Sequence, residues 1–385
     1  MNLDKTTLLK ISLCQKHQYT FDLSIIKNTD LISKKKIAVM IISYIAMSIA
    51  IFWIFIWNLS YATTIDFASH GTPTSIDLEF HVALKKVFSL EFLETDKFNS
   101  NGNLQNTVWS SIAIILVGLA LAVAGSITQS LTKNPLADPS TLGIVQATVF
   151  MVVLAISFNF RIYAHRFGFA FIGGGIAAIM LVILTFFSKN RKSYIQMTLA
   201  GLAVGVFFNT VTYFIRSSDE GASTANVLYV LGGPENILKA NGFADWKTLW
   251  IAAILITIGL IIAMGIAHKL SLLELGDEKA KNLGTSVVVI KLVAIIAAIL
   301  LITPSILLAG NVAFVGLFTP HIVRKIFKVR DFRAVIPLSA VMGAVLTSLG
   351  LILQREIPSI NSSIWMQFIG APTLAWVGWM HRKNG

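Results

Sequence analysis

Charged residues are scarce in this chain. They make up 13% of its 385 residues, and only 19 of them are Asp or Glu, against 31 Lys and Arg. An average soluble domain has about 25% charged residues. Hydrophobic residues account for 55% of the chain, which leaves too little polar surface to cover a soluble core. The composition therefore excludes an ordinary soluble domain and predicts a membrane protein.

Cysteine is nearly absent, since Cys14 is the only one. A single thiol excludes a disulfide framework or a cysteine-based metal site within one chain. The net charge of +12 does not indicate a nucleic-acid partner, because Lys and Arg lie in short segments between apolar runs. The sequence also lacks the motif G-x-x-x-x-G-K-[ST], so it has no loop to hold the phosphates of ATP. We predict no cofactor.

The sequence does contain a succession of long apolar runs. The first, residues 37–58, follows a lysine triplet, has no charge, and carries Trp53 and Trp57 near its far end. The eighth is about 12 residues or about 18 Å long, so it can only be a half-helix packed against its neighbours. In all, ten spans are predicted, at residues 37–58, 108–127, 140–157, 168–188, 195–215, 247–268, 287–308, 312–323, 334–352 and 362–381.

The distribution of Lys and Arg predicts the orientation of these spans. Residues 1–36 lack the apolar core of a signal peptide and are predicted to be a cytoplasmic N-terminal extension, followed by a transmembrane domain at residues 37–385. This orientation puts most basic residues inside and fewer outside. It places both termini in the cytoplasm of a multi-pass cell-membrane protein, in the plasma or inner membrane. Residues 59–107 then form an extracytoplasmic loop, residues 270–287 lie inside, and residues 224–233 are a candidate re-entrant piece.

The turn after the second apolar run is the most specific feature of the sequence. A polar turn with two prolines must lie at the membrane surface or line a water-filled cavity. Residues 124–143 read A-G-x-x-x-Q-x-x-x-x-N-P-L-A-D-P-x-x-L-G. This pattern resembles the FecCD-type permeases, the membrane subunits of ABC importers for iron-siderophore, haem and cobalamin. The resemblance implies an all-α, type II ABC importer permease fold of about ten transmembrane helices, and it places pathway or gate residues at Gln129, Asn134, Pro135, Leu136 and Gly201.

Residues 270–287 resemble the coupling loop of the same family, with its core L-G-x-x-x-A-x-x-L-G. Acidic residues after the first glycine suit a helix N-terminus, and the last glycine suits a C-terminal cap. We expect a short amphipathic helix with Leu275 and Leu283 toward the protein, and with Asp277, Lys281 and Asn282 toward a partner. A solvated connecting helix is the alternative. The resemblance assigns coupling to the ATPase to Leu275, Gly276, Asp277, Glu278, Ala280, Lys281, Leu283 and Gly284.

A third match lies at residues 310–324, which are similar to the family pattern G-x-I-x-F-V-G-L-x-x-P-H-x-x-R. Pro320 is expected to break the helix there. An ionisable residue at membrane depth is a functional candidate, but no second metal ligand stands at a suitable spacing from His321. We therefore interpret His321 as a structural residue that hydrogen-bonds carbonyl groups freed near Pro320.

Two further features concern packing and docking. Small residues such as Gly118, Gly125, Gly173 and Gly201 are predicted to let helices approach closely. On the outer face, many relatives carry R-x-P-R at the start of the second helix, and this chain has no arginine there. Arg355 is the remaining candidate for docking a binding protein, although an arginine that extends to the membrane interface is an equal alternative.

Together these observations predict a permease subunit of an ATP-binding cassette importer, moving a chelated metal compound inward. An iron-siderophore is the first candidate, with haem or cobalamin possible. The implied partners are cytoplasmic ABC ATPase subunits, a second permease subunit in a homo- or heterodimer, an extracytoplasmic substrate-binding protein and the lipid bilayer. The chain itself would be no enzyme. The alternative is a secondary transporter of a small solute that does not depend on ATP, which the near absence of Asp and Glu in the spans disfavours.

Overall fold

The computed structural model describes most of the transmembrane part of the chain. The described residues are 34–68, 102–158, 160, 163–186, 194–218, 230, 232–233, 246–357 and 359–383. Most of the N-terminal extension, most of the loop at residues 59–107 and most of the candidate re-entrant piece lie outside them. The chain divides into two compact units, Met1–Ala46 and Met47–Gly385. The fold and site below belong to the second unit.

The described residues form helices joined by turns, with no strand among them. A 3₁₀ turn at Pro139–Leu142 separates the second helix from the third. The α-helices are α1 Lys34–Ala68, α2 Gly102–Thr132, α3 Ile144–Ser157, α4 Tyr163–Phe186, α5 Tyr194–Ser218, α6 Trp246–Glu274, α7 Asp277–Asn282, α8 Val287–Ala309, α9 Val315–Phe327, α10 Phe332–Glu356 and α11 Ser362–Lys383.

These helices occupy the positions of the ten predicted spans, with α7 as an additional short helix. Within the described residues, seven helices are long and apolar enough to cross a membrane: α1, α2, α4, α5, α6, α8 and α10. The other three are α3 with 14 residues, α9 with 13 and α11 with 22. The length of α9 confirms the predicted half-helix, since 13 residues rise only about 20 Å.

Pro320 is a correction to the sequence prediction. The helix was expected to break there, but α9 continues through Pro320 to Phe327. Proline removes one backbone donor, which in a regular helix would bond the carbonyl of Gly316. That carbonyl lies against Gly125 of α2, in a tightly packed contact between the two helices. The surrounding packing therefore holds a helix that the local sequence alone disfavours.

Helix α2 is the centre of the bundle and packs against α6, α8, α9 and α10. Close approach depends on glycine, because a Cβ on Gly118 would overlap the carbonyl of Gly343 in α10. A Cβ on Gly125 would overlap the backbone of Gly316 in α9. Thr347 Oγ1 also donates to the carbonyl of Ile114, at 2.9 Å. These contacts confirm that small residues set the helix spacing, as expected where lipid supplies no hydrophobic drive.

Candidate coupling and gate site

The turn that follows α2 is held by its own polar groups. Lys133 ends the helix with a left-handed backbone, at φ +51°. The Asn134 side chain then accepts a hydrogen bond from the backbone NH of Leu136 at 3.0 Å, and its carbonyl accepts one from Ala137 at 3.0 Å. This is the local bonding by which Asn favours turns. As a result Leu136, one of the predicted gate residues, stands 53% exposed at the tip of the turn.

Asp138 connects this turn to the 3₁₀ segment that follows. Its carboxylate accepts the backbone NH of Ser140 at 3.0 Å and caps the segment. Burial raises the pKa of Asp138, while hydrogen bonds from Ser140 and from the backbone of Leu317 act in the opposite direction. The predicted pathway residue Gly201 lies against the same segment, where a Cβ would overlap the carbonyl of Thr141. The turn is thereby packed between α9 and α5.

Gln129, also assigned to the pathway, is buried among these elements. Only 2% of it is exposed. Its Nε2 donates to the carbonyl of Leu317 at 3.1 Å, and its Oε1 accepts from Arg324 Nη1 at 3.1 Å. Both ends of the amide are therefore engaged in joining α2 to α9. A pathway role for Gln129 stays a prediction, and its observed contacts are structural.

Arg324 extends this network to the end of α6. Its Nη2 lies 3.2 Å from Glu274 Oε1, the last residue of that helix. Its guanidinium also stacks over the ring of Phe332, 5.0 Å from the centroid, which suits the planar delocalised cation. One arginine thus connects α2, α6, α9 and α10 at the end of the bundle that carries α7.

The predicted coupling helix is present as α7, and its end follows the expected chemistry. Gly284 has φ +79°, and its NH bonds the carbonyl of Lys281 while the NH of Thr285 bonds that of Ala280, each at 3.0 Å. This pair of bonds is a Schellman motif. At the other end Gly276, with φ +116°, stands before the acidic first turn. The helix boundaries predicted from the two glycines are therefore confirmed.

The orientation of α7 differs from the prediction. Leu275 and Leu283 were expected to face the protein, but they are 55% and 59% exposed. Ala280 is the residue that packs inward, with 0% exposed. The reason is that α7 has only six residues, so both leucines lie beyond its ends, where helical periodicity does not govern direction. Lys281 and Asn282 are exposed as expected.

Asp277 also differs from the prediction, because it was expected to face a partner and its carboxylate instead pairs with two lysines of the bundle. Its Oδ2 lies 2.7 Å from Lys291 Nζ on α8, and its Oδ1 lies 3.4 Å from Lys133 Nζ. Sequence reasoning missed both partners. A signal did exist, since Lys291 is the one charged residue in the apolar helix α8, and a cation there requires an acidic partner.

A further polar contact, which was also not predicted from the sequence, fixes the start of α10. Asp331 caps that helix by accepting the backbone NH of Arg333 at 2.9 Å. Its carboxylate also accepts from Ser271 of α6 at 3.1 Å, and the NH of Phe332 donates to the Ser271 hydroxyl at 2.9 Å. Although partial burial opposes ionisation, the hydrogen bonds from Arg333 and Ser271 hold the pKa of Asp331 below its ordinary value.

Arg355, the predicted docking residue, lies at the opposite end of the bundle. Its guanidinium donates to the carbonyl of Asn58 and to the hydroxyl of Ser110, the latter at 3.3 Å. It therefore joins α1, α2 and α10 and is partly buried. Its role in docking stays a prediction. Among the described residues, no cluster of His, Cys, Asp or Glu has the arrangement of a metal site.

The chain is similar in sequence to permease proteins of known import systems. It is 35% identical over 235 residues to the iron(3+)-hydroxamate import system permease protein FhuB of Bacillus subtilis, covering 61% of this chain and 59% of that protein. It is 28% identical over 273 residues to the probable heme-iron transport system permease protein IsdF of Staphylococcus aureus, covering 70% and 80%. The chain thus spans less than two thirds of the Bacillus protein.

Solved structures share the fold at low sequence identity. One is a transporter described as of the metal-chelate ABC type in an inward-facing conformation, with a TM-score of 0.68, 18% identity, and coverage of 88% of this chain and 98% of that one. Another is PsaBC from Streptococcus pneumoniae in complex with Fab, with a TM-score of 0.53 and 17% identity over 75% and 91%. The model of the FecCD transport family matches residues 75–379. With its multiple apolar helices, this chain is a multi-pass membrane protein that belongs to the FecCD transport family.

Proposed function

We propose that this chain is the permease subunit of an ABC importer that brings a chelated iron compound into the cell. The family match supports the class of protein. The relatives named for iron(3+)-hydroxamate import and heme-iron transport support the substrate class. Ferric hydroxamate is the first candidate, because the Bacillus relative named for it is more similar to this chain than the Staphylococcus relative, at 35% against 28% identity. In this role the chain resides in the cell membrane with both termini in the cytoplasm.

The observation that carries the proposal is the position of α7. Leu275 and Leu283 flank it and are more than half exposed, and the exposed residues between them are charged or polar. Exposed apolar residues with a polar rim are typical of a protein interface. We assign this surface to a cytoplasmic ABC ATPase subunit. Since this chain has no phosphate-binding loop of its own, ATP hydrolysis belongs to that partner.

The neighbouring turn is the proposed inner gate. Leu136 projects from it, and the turn is held rigid by Asn134, Pro135 and the capped segment after Asp138. A second permease chain, identical or similar to this one, would present the same turn across a central pathway. An extracytoplasmic binding protein would deliver the substrate at the opposite end, where Arg355 lies. ATP binding would move α7, and the helices would then open alternate ends.

The test is reconstitution of the chain with its partner subunits in proteoliposomes. Uptake of a radiolabelled ferric trihydroxamate should require ATP and should be insensitive to an ionophore that collapses the proton gradient. Heme uptake measured in parallel distinguishes the two substrate classes. Replacing both Leu275 and Leu283 with serine should abolish copurification of the ATPase. Uptake that is driven by a proton or sodium gradient without ATP would instead support a secondary transporter and contradict the proposal.

A further inference from the structure

Helix α7 is joined to the rest of the chain through a glycine at each end. Gly276 and Gly284 flank it, both with positive φ, and a Cβ added to either would meet no atom within 4 Å. Neither glycine therefore packs against the bundle on the side where a Cβ would lie, although both are hydrogen-bonded to neighbouring turns. The position of the helix then depends on the side chains that bind it to the bundle. Ala280 packs inward but can supply only a methyl group.

Asp277 supplies the polar attachment. One carboxylate oxygen lies 2.7 Å from Lys291 Nζ on α8 and the other 3.4 Å from Lys133 Nζ at the end of α2. The lysine side chains are 13% and 16% exposed and that of Asp277 is 28% exposed. Ion pairs shielded in this way are screened less by salt than those on an open surface.

The two lysines differ in what they connect. Lys291 lies within α8, which is a regular spanning helix. Lys133 immediately precedes Asn134, and its own backbone is left-handed at φ +51°, a conformation that non-glycine residues adopt at a cost. Its side chain is therefore attached at the bend that leads directly into the turn carrying Leu136. A shift of Asp277 would act on that bend through its ion pair with Lys133.

We propose that the Lys133–Asp277 ion pair is a positioning contact that transmits displacement of α7 to the turn at residues 134–136, while Lys291 holds the carboxylate in place. This inference rests on the proposed function, in which α7 docks on an ATPase. It assigns Asp277 to the inside of the permease and not to the docking surface. The exposed leucines bind the partner, and the ion pair conveys the movement.

The experiment uses the full complex in proteoliposomes, with radiolabelled ferric trihydroxamate as the probe. Asp277→Asn and Lys133→Met should each leave ATPase copurification unchanged. Each should lower the substrate taken up per ATP hydrolysed by about tenfold, a change of the size usual for coupling between two sites. The double variant should lose no more coupling than Asp277→Asn alone, because that substitution already removes the contact with Lys133 together with the one with Lys291. Lys133→Arg should retain transport. The matched control is Lys269→Met, an exposed lysine near the end of α6, which should transport like wild type.

Four outcomes would overturn the inference. Loss of ATPase copurification in Asp277→Asn would make Asp277 a docking residue. Multiplicative losses in the double variant would show that the two side chains act separately. Normal coupling in both single variants, with the leucine variant still defective, would remove the ion pair from the mechanism while leaving the proposed function intact. If wild type shows no ATP-dependent uptake, the proposed function fails, and the inference fails with it.

Discussion

Arg324 Nη1 donates a hydrogen bond to Gln129 Oε1 across 3.1 Å, between residues 195 positions apart in the chain. The amide of Gln129 in turn donates to the carbonyl of Leu317. Gln129 of α2 therefore bonds one backbone carbonyl and one side chain of α9. This relationship fixes the half-helix beside the turn proposed as the gate, and it leads to a first prediction.

Replacing Gln129 with leucine keeps the volume of the side chain but leaves a buried carbonyl and a guanidinium each short of one partner. We expect Gln129→Leu to lower the free energy of unfolding by about 1–3 kcal/mol. Thermal unfolding of the purified protein in detergent measures this loss. Gln196→Leu is the matched control, because that amide bonds a carbonyl at 3.5 Å in an exposed setting. Equal shifts for the two variants would contradict a structural role for Gln129.

The contact between Gly125 and Gly316 predicts an effect of a single methyl group. A Cβ on Gly125 would overlap the backbone of Gly316, which cannot move aside as a side chain can. Gly125→Ala should therefore destabilise the protein by about 1–3 kcal/mol or more. Gly175→Ala in α4 is the control, since a Cβ added there would meet no atom within 4 Å. This variant should be slightly more stable, because alanine reduces the entropy of the unfolded chain. The yield of monodisperse protein and its melting temperature measure the difference between the two variants.

Gly284 ends α7 with a positive φ, and valine disfavours that conformation by about 1–2 kcal/mol. No atom crowds the position, so Gly284→Val should alter the backbone of the loop without disturbing the bundle. We expect the variant to insert and fold, while transport falls and ATP hydrolysis no longer responds to the substrate-loaded binding protein. Gly265→Ala in α6 is the control, at an equally open position without positive φ. Normal transport by Gly284→Val would make residues 270–287 a passive connection.

Leu136 projects from the turn and is 53% exposed, so its removal should not unfold the protein. If it closes the pathway, Leu136→Ala should leak. Proteoliposomes loaded with radiolabelled ferric trihydroxamate should lose it faster than wild type when ATP is absent. Ile326→Ala is the control, because Ile326 is also apolar and exposed, at 61%, but lies on α9 and not in the turn. This variant should retain the substrate. Retention by Leu136→Ala as complete as in wild type would place the gate elsewhere.

The lowered pKa of Asp331 predicts a dependence of stability on pH. Its carboxylate is stabilised by Arg333 and Ser271 in the folded state, so this contribution is present above the unfolded pKa of about 3.9 and is lost as the pH falls through the lower folded value. Asp331→Asn still caps α10 but removes the charge. Its melting temperature should lie below that of wild type at neutral pH. The gap should close below about pH 4, and a gap that does not change with pH would contradict this.

Some features of this protein follow from short stretches of its sequence, and others depend on contacts between distant helices. The ten apolar segments were predictable because each is a local run of apolar residues, and seven of the described helices are long enough to cross a bilayer. The end of α7 at Gly284 was predictable because a helix commonly ends at a residue with positive φ, and glycine is the residue that adopts this conformation most readily. The contacts of Asp277 were not, since Lys133 and Lys291 come from two other helices. Nor was the continuous helix through Pro320, which depends on packing against α2.

The sequence by itself therefore determined the order of the described helices, the turn chemistry at residues 134–143 and the boundaries of α7, because hydrophobic length, proline and glycine act over a few neighbouring residues. Only the tertiary structure decided which charged groups meet. Arg324 bonds Gln129 and Glu274, and Asp277 bonds two lysines. Burial makes an unpaired polar group costly, but the identity of its partner depends on which helices the glycine contacts bring together.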